Sequence, residues 1–259
     1  MDVTEALEFT REMVAEAAAR ATRMVEAGVT IDTKPDGSVV TDVDRAIEQF
    51  LRDAIAARYP GHAILGEEYG HASTGDASVL WALDPIDGTT NLANGLPFWG
   101  VSVGLIVDDE PVVGVFSAPL LGETYAAARG HGASRNGRPL PDLGAGGPTG
   151  WEDTYAICST SVRALAFDRL PARLRVLGSA ALDLCLVGAG SVRGCHSIGT
   201  SLYDIAAGVC VAHEVGARTE WLLPGPPWSP AEMAREGPRE AVLITAPPAT
   251  LAFLRERLV

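Results

Sequence analysis

The chain has 259 residues, 47% hydrophobic and 20% charged, enough to bury a substantial core in one large domain or two small ones. Its 28 glycines and 17 prolines follow no period, which excludes collagen-like and low-complexity classes, and no apolar run approaches the ~18 residues of a transmembrane helix. A formal net charge of −13 argues against nucleic-acid binding through phosphate neutralisation and suits an acidic cluster that gathers divalent cations.

The charge is uneven. Residues 1–130 carry 8 basic and 21 acidic side chains, whereas residues 131–259 carry 12 of each. Solvated acids on helix faces account for most of the excess. The acidic, amphipathic opening stretch is unlike a secretory signal, so a cytoplasmic protein with no membrane partner is expected. Cys158, Cys185, Cys195 and Cys210 show no metal-type spacing and lie in apolar stretches, which reads as buried free thiols. Lys34 stands alone among nineteen arginines.

A first helix is expected over about Val3–Ala27, with Val3, Leu7, Val14, Ala17, Ala21, Met24 and Val25 on one stripe and Gly28 as its stop. The stretch DTKPDGSVV reads as a turn. Thr41 and Asp44 form a capping pair for a second helix that buries Ile47, Phe50, Leu51 and Ile55 and ends at Tyr59-Pro60-Gly61. Strands are expected at His62–Leu65, Val79–Asp84, Val101–Val107, Val112–Ser117 and Thr124–Ala128, with a hairpin turn at Asn136-Gly137. The Gly/Pro-rich segment 140–150 separates two halves, about 1–140 and 150–259. The second half alternates: strand Tyr155–Cys158, helix 162–170, strand Arg175–Leu177, helix Ala180–Gly188, strand 194–198, helix Leu202–Val215. Strand Arg218–Leu222, a proline-rich loop at 224–230, strand Ala241–Thr245 and a helix at 248–258 complete it. This order points to layered α+β or α/β architecture.

Three acidic segments fall where strands end or helices begin: Glu67-Glu68, Asp84-Pro85-Ile86-Asp87-Gly88-Thr89-Thr90, and Asp204. Each has an ordinary explanation, as exposed loop acids, a turn, or a helix cap. Converging, they would repel one another unless metal ions compensate, and ligation by oxygen alone suits Mg²⁺ or Mn²⁺.

Together the segments fit one pattern. WALDPIDGTTNLANGLP resembles the W-x-x-D-P-x-D-G-T-x-N signature of the inositol monophosphatase superfamily, and YDIAAGVCVAHEVGA resembles its second signature. GEEYG, KPDGSVVTDVD and RVLGSAALDLCLVGAGSV resemble its glutamate loop, its N-terminal segment and its substrate loop, in order from Lys34 to Ala217. The resemblance implies a single-domain αβαβα layered sandwich of the inositol monophosphatase / fructose-1,6-bisphosphatase type. It also implies Mg²⁺-dependent, Li⁺-sensitive hydrolysis of a small-molecule phosphomonoester by a homodimer.

Carried over by position, Glu67, Asp84 and the Ile86 carbonyl hold a first metal. Asp84, Asp87 and Asp204 hold a second, and Asp44 assists a third near Glu67. Glu67 and Thr89 activate water, and Gly88, Thr89 and Thr90 offer amides to the phosphate. Asp87, Gly178, Ser179, Ala180, Ser197 and Asp204 complete the expected substrate contacts. Lys34 matches a family lysine near the catalytic loop, or else is a surface lysine on a turn.

Tyr203, Leu92 and the final Val-Gly-Ala are mild departures. The larger one is Ser197, where many relatives carry a glutamate that accepts hydrogen bonds from the leaving group. Losing it weakens selection for a polyol or cationic substrate by about 1.5–3 kcal/mol. Inositol 1-phosphate is the default substrate, histidinol phosphate its closest rival and a pathway-specific sugar phosphate a third. The competing class is a catalytically silent module that binds phosphorylated ligands.

Overall fold

The structure is a computed structural model that describes residues 2–35, 37–72, 76–159, 169–223, 226–238 and 241–258. Asp2 caps helix α1 (Val3–Ala27) by accepting the Thr4 and Glu5 N–H groups, and Gly28 ends it. Its buried face is Ala6, Thr10, Met13, Val14, Ala17, Ala18 and Ala21, while Val3, Leu7, Met24 and Val25 border the core half-buried. The expected stripe is therefore displaced towards smaller residues, because a sheet lies close beneath the helix. The supposed turn at 32–40 belongs to a hairpin, β1 (Ile31–Thr33) with β2 (Val39–Thr41). Helix α2 (Asp42–Arg58) opens on the Thr41/Asp44 capping box as expected and buries Ile47, Leu51 and Ile55.

Next come β3 (His62–Gly66), β4 (Gly70–Ala72), β5 (Asp76–Asp87), α3 (Thr89–Ala93), β6 (Gly100–Val107), β7 (Glu110–Ala118), β8 (Glu123–Ala128), β9 (Ala133–Arg135) and β10 (Arg138–Pro139). The second half holds β11 (Thr154–Ile157), β12 (Arg173–Arg175), α4 (Ala180–Gly188), β13 (Cys195–Ile198), α5 (Leu202–His213), β14 (Arg218–Trp221), α6 (Pro230–Glu236), β15 (Val242–Ala246) and α7 (Pro248–Leu258). Helices α3 and α6 and strand β4 were not expected, and β12 begins two residues before the strand read from the sequence. Short elements carry too few residues to display a period. The expected helix at 162–170 lies outside the described residues apart from its last two positions.

The strands form an eight-stranded sheet, β10-β9-β8-β7-β6-β5-β3-β4, and a five-stranded sheet, β12-β11-β13-β15-β14. The first is antiparallel except where β3 runs parallel to β5, and in the second β11 runs parallel to both β12 and β13. Alternation along single strands shows that both sheets are covered on both faces. On β5, Trp81 and Leu83 join the core under α1 and α2, whereas Leu80 and Ala82 face α5. On β15, Leu243 faces α5 while Ile244 packs with Leu251 and Leu254 of α7. The order is α1/α2, sheet, α4/α5, sheet, α7: the expected αβαβα sandwich.

The seating of α5 fixes much of the site. Gly104 and Gly114 on adjacent strands leave its backbone room: a Cβ at Gly104 would lie 2.5 Å from Ala206 Cβ, and one at Gly114 2.4 Å from the Ala207 carbonyl oxygen. Among the described residues no helix is long and apolar enough to cross a membrane. Cys185, Cys195 and Cys210 are buried free thiols as expected, and Cys158 is half-buried.

Candidate active site

Two features of β5 and its neighbour bring the first acids together. Strand β3 runs parallel to β5 with Gly66 opposite Leu83, and the Glu67 N–H bonds the Leu83 carbonyl at 3.3 Å. The residue leaving β3 therefore arrives beside Asp84. Along β5 the pairing with β6 passes from Asp84↔Ser102 to Asp87↔Gly100, so Pro85 and Ile86 bulge against Val101 alone. A bulge re-aims side chains, and here it lets Asp84 and Asp87 line one cleft. Gly88 follows at φ 92°, where a Cβ would strike the Phe98 carbonyl at 2.6 Å, so the sharp exit into α3 requires glycine.

The cleft has a volume of about 310 Å³ and is lined by Glu67, Asp84, Ile86, Asp87, Gly88, Thr89, Thr90, Gly178 and Asp204, with the β1–β2 hairpin tip at its edge. Asp84 Oδ1 accepts the Ile86 N–H at 3.0 Å. Asp87 ties the acidic loop to the start of α4: its carboxylate accepts Ser179 Oγ and the N–H groups of Ala180 and Ala181, both at 3.0 Å. Asp204 serves as the capping acid of α5, accepting the Ser201 N–H at 2.7 Å, and still lines the cleft. One residue thus both caps the helix and lines the cleft.

Asp44 is wholly buried on α2. One carboxylate oxygen takes the Thr41 N–H at 2.9 Å and the Thr41 hydroxyl, and the other takes the Thr89 hydroxyl at 2.9 Å. Asp44 thus reaches the cleft through Thr89 Oγ1, which also lies 2.9 Å from the Ile86 carbonyl. Lys34 is no free surface lysine, since its Nζ bonds Glu67 at 3.0 Å and Glu68 at 2.6 Å. Burial works against its charge, yet the two carboxylates hold the ammonium above its ordinary pKa.

Burial, then the charges of Glu67, Asp87, Asp204 and Asp44, push the Asp84 carboxyl well above the carboxylate range. Burial raises Glu67 and Asp204 in the same direction, and Asp87 rises to about 6 although hydrogen bonds from Ser179, Ala180 and Ala181 oppose it. Among the described residues no three acidic, histidine or cysteine side chains close on one point as a finished metal cage. The donor set nevertheless fits hard dications: four carboxylates in mutual repulsion, the Ile86 carbonyl, no sulfur and no imidazole.

Ser179, Ala180 and Ser197 do not line this cleft. They line an adjoining cavity of about 210 Å³ that shares Asp87 and Gly178 with it. Ser197 Oγ lies 3.1 Å from Thr200 Oγ1.

Sequence reasoning missed Glu48. It is wholly buried on α2, accepts the N–H groups of Glu68 at 2.6 Å and Tyr69 at 3.1 Å, and pairs with Arg52 at 2.7 Å. A charged residue one turn from Asp44 on the apolar face of α2 was the available signal.

A family model described as the inositol monophosphatase family matches residues 2–221. A Pasteurella multocida protein named Nus factor SuhB is 36% identical over 194 residues, covering 71% of this chain and 72% of its own. A Mycobacterium tuberculosis histidinol-phosphatase is 36% identical over 203 residues, covering 73% and 76%. The solved structure of an Anabaena inositol monophosphatase superposes with a TM-score of 0.80 at 27% identity, over 99% of this chain and 96% of that one. With its motifs, fold and relatives in agreement, the chain belongs to the inositol monophosphatase family.

Proposed function

We propose that the chain is a Mg²⁺-dependent phosphatase that hydrolyses a small-molecule phosphomonoester in the cleft between β5, α3 and α5. The observation that carries the reading is the convergence of Glu67, Asp84, Asp87 and Asp204 on one cleft that also presents Thr89. Glu67, Asp84 and the Ile86 carbonyl would hold one ion, and Asp84, Asp87 and Asp204 a second. When bound, the ions lower the pKa of water and neutralise charge on the phosphoryl and leaving oxygens.

The chain's own groups then orient and move protons. Thr89 Oγ1 has one proton to donate, to Asp44 or to the Ile86 carbonyl, and keeps lone pairs with which it would accept from a water bound in the cleft. As that water attacks phosphorus, its proton passes to Thr89 Oγ1 and the threonine's proton to Asp44, or directly to Glu67 across the cleft. Gly88 leaves the first N–H groups of α3 open towards the phosphate, since no side chain caps that turn. Asp87, held by the start of α4, keeps the substrate loop Gly178-Ser179-Ala180 in register with the acids.

Inositol 1-phosphate and histidinol phosphate are the first substrates to assay; the histidinol-phosphatase relative supports the second. Phosphate release from a panel of phosphomonoesters tests the reading, with Mg²⁺ and with chelator. Release that stops in chelator and returns with Mg²⁺ is expected. Release undiminished by chelator rejects metal dependence, and no release from any ester leaves the chain a phosphate-ligand binding module.

A further inference from the structure

The cavity next to the catalytic cleft contains a carboxyl that the catalytic reading does not use. Asp183 lines it from the first turns of α4, nine-tenths buried, and its Oδ1 has no hydrogen-bond partner among the described residues. Helix capping does not explain it, because Ser179 already fills that role by accepting the Leu182 N–H at 3.3 Å. An unpartnered buried carboxyl is costly to keep, and such groups mark places where a ligand supplies the missing partner.

The rest of the cavity indicates which ligand. Leu184, Ile205, Ala180, Cys158 and Cys195 give it an apolar side, Ser159, Ser179 and Ser197 bring hydroxyls, and no lysine or arginine lines it among the described residues. His196 faces it too, but burial holds its imidazole down at about 3, so at neutral pH it brings no positive charge to Asp183. An apolar cavity near 150 Å³ accommodates a benzene molecule, so about 210 Å³ takes a ring or branched carbon body with a short substituent. A cation suits Asp183, whose carboxyl is raised by burial and then by the Asp87 charge, two effects that an ammonium would counter together.

We propose that Asp183 is the specificity residue of this enzyme and binds an ammonium group on the leaving alcohol, so that the preferred substrates are phosphomonoesters of amino alcohols with a compact apolar body. The inference rests on the phosphatase reading. The two cavities share Asp87 and Gly178, which places the ester oxygen at their junction, the phosphate among the acids and the carbon skeleton beside Asp183.

The test compares phenylalaninol phosphate, its deaminated analogue phenylpropyl phosphate, and inositol 1-phosphate on wild type, Asp183→Asn and Asp183→Leu. Wild type should favour the amine-bearing ester over the deaminated one by about 10- to 100-fold in kcat/KM, the size of one buried charge-assisted hydrogen bond. Both variants should collapse that ratio towards one, chiefly through KM for the amine-bearing ester. Equal losses on both esters, a wild type blind to the amine, or a preference for inositol 1-phosphate would overturn the proposal. Free phenylalaninol should also raise the melting temperature of wild type and not of Asp183→Asn, whereas phenylpropanol should distinguish neither. If no ester is hydrolysed but this stabilisation is seen, the phosphatase reading fails and the ammonium site stands. If neither is seen, both fail.

Discussion

The carboxylate of Glu48 accepts the backbone N–H of Glu68 at 2.6 Å, so a buried side chain of helix α2 anchors the loop that presents Glu67. Glu48 is itself held by Arg52, whose guanidinium also donates to the Gly70 carbonyl, and the unit clamps both ends of the β3–β4 turn. Glu48→Ala takes the carboxylate from the largely buried Arg52 guanidinium, leaving it only the Gly70 carbonyl, and is expected to cost about 3–5 kcal/mol in denaturant unfolding. Glu48→Gln keeps the shape and should remain folded while lowering kcat/KM. Full activity in a folded Glu48→Gln protein would show that the anchor does not matter to Glu67.

Asp84 is expected to oppose folding and to support catalysis. Its folded pKa is raised, so the folded state holds the proton more tightly than the unfolded chain, and stability falls as pH rises above the unfolded value of about 4. With divalent ions removed by chelator, Asp84→Asn should therefore be more stable than wild type at pH 7.5, and the gain should shrink towards pH 4.5. Saturating Mg²⁺ should reverse the order, stabilising wild type by about 2.7 kcal/mol at a hundredfold excess over Kd while doing little for the variant. Melting curves at the two pH values, with and without Mg²⁺, decide it.

Thr89→Ala should lower kcat by about 10²–10⁴ with KM within a few-fold, and Thr89→Ser should recover much of the loss. A change in KM alone would assign the hydroxyl to substrate binding and leave Asp44 without a route to the attacking water.

Gly114→Ala tests the seating of α5. The new Cβ meets the Ala207 carbonyl, and such overpacking costs about 1–3 kcal/mol. Because Asp204 rides on the first turn of α5, the variant should need more Mg²⁺ for half-maximal activity while approaching the wild-type rate at saturation. An unchanged Mg²⁺ requirement would separate the position of α5 from the metal site.

The features legible in the sequence are those set by near neighbours in the chain. The Thr41/Asp44 capping box, the Gly28 stop, the Asn136-Gly137 turn and the bounds of α4 follow from relations within a few residues, and local backbone physics fixes them wherever the segment ends up. The acidic motifs were readable for the same reason, since the Asp84–Thr90 loop is a compact unit with its own turn chemistry. The tertiary structure decided what those pieces meet. Glu48 stands out in sequence only as a charge on the apolar face of α2, and the partner that explains it appears when the β3–β4 turn is laid across it, while Asp183 looks like a first-turn acid until α4 is buried beneath Cys195 and Ile205. Asp44 is a helix cap in sequence and a partner of Thr89, 45 residues away, in space. Burial and pairing over such separations depend on how layers stack, and the closeness allowed by Gly104 and Gly114 set that stacking.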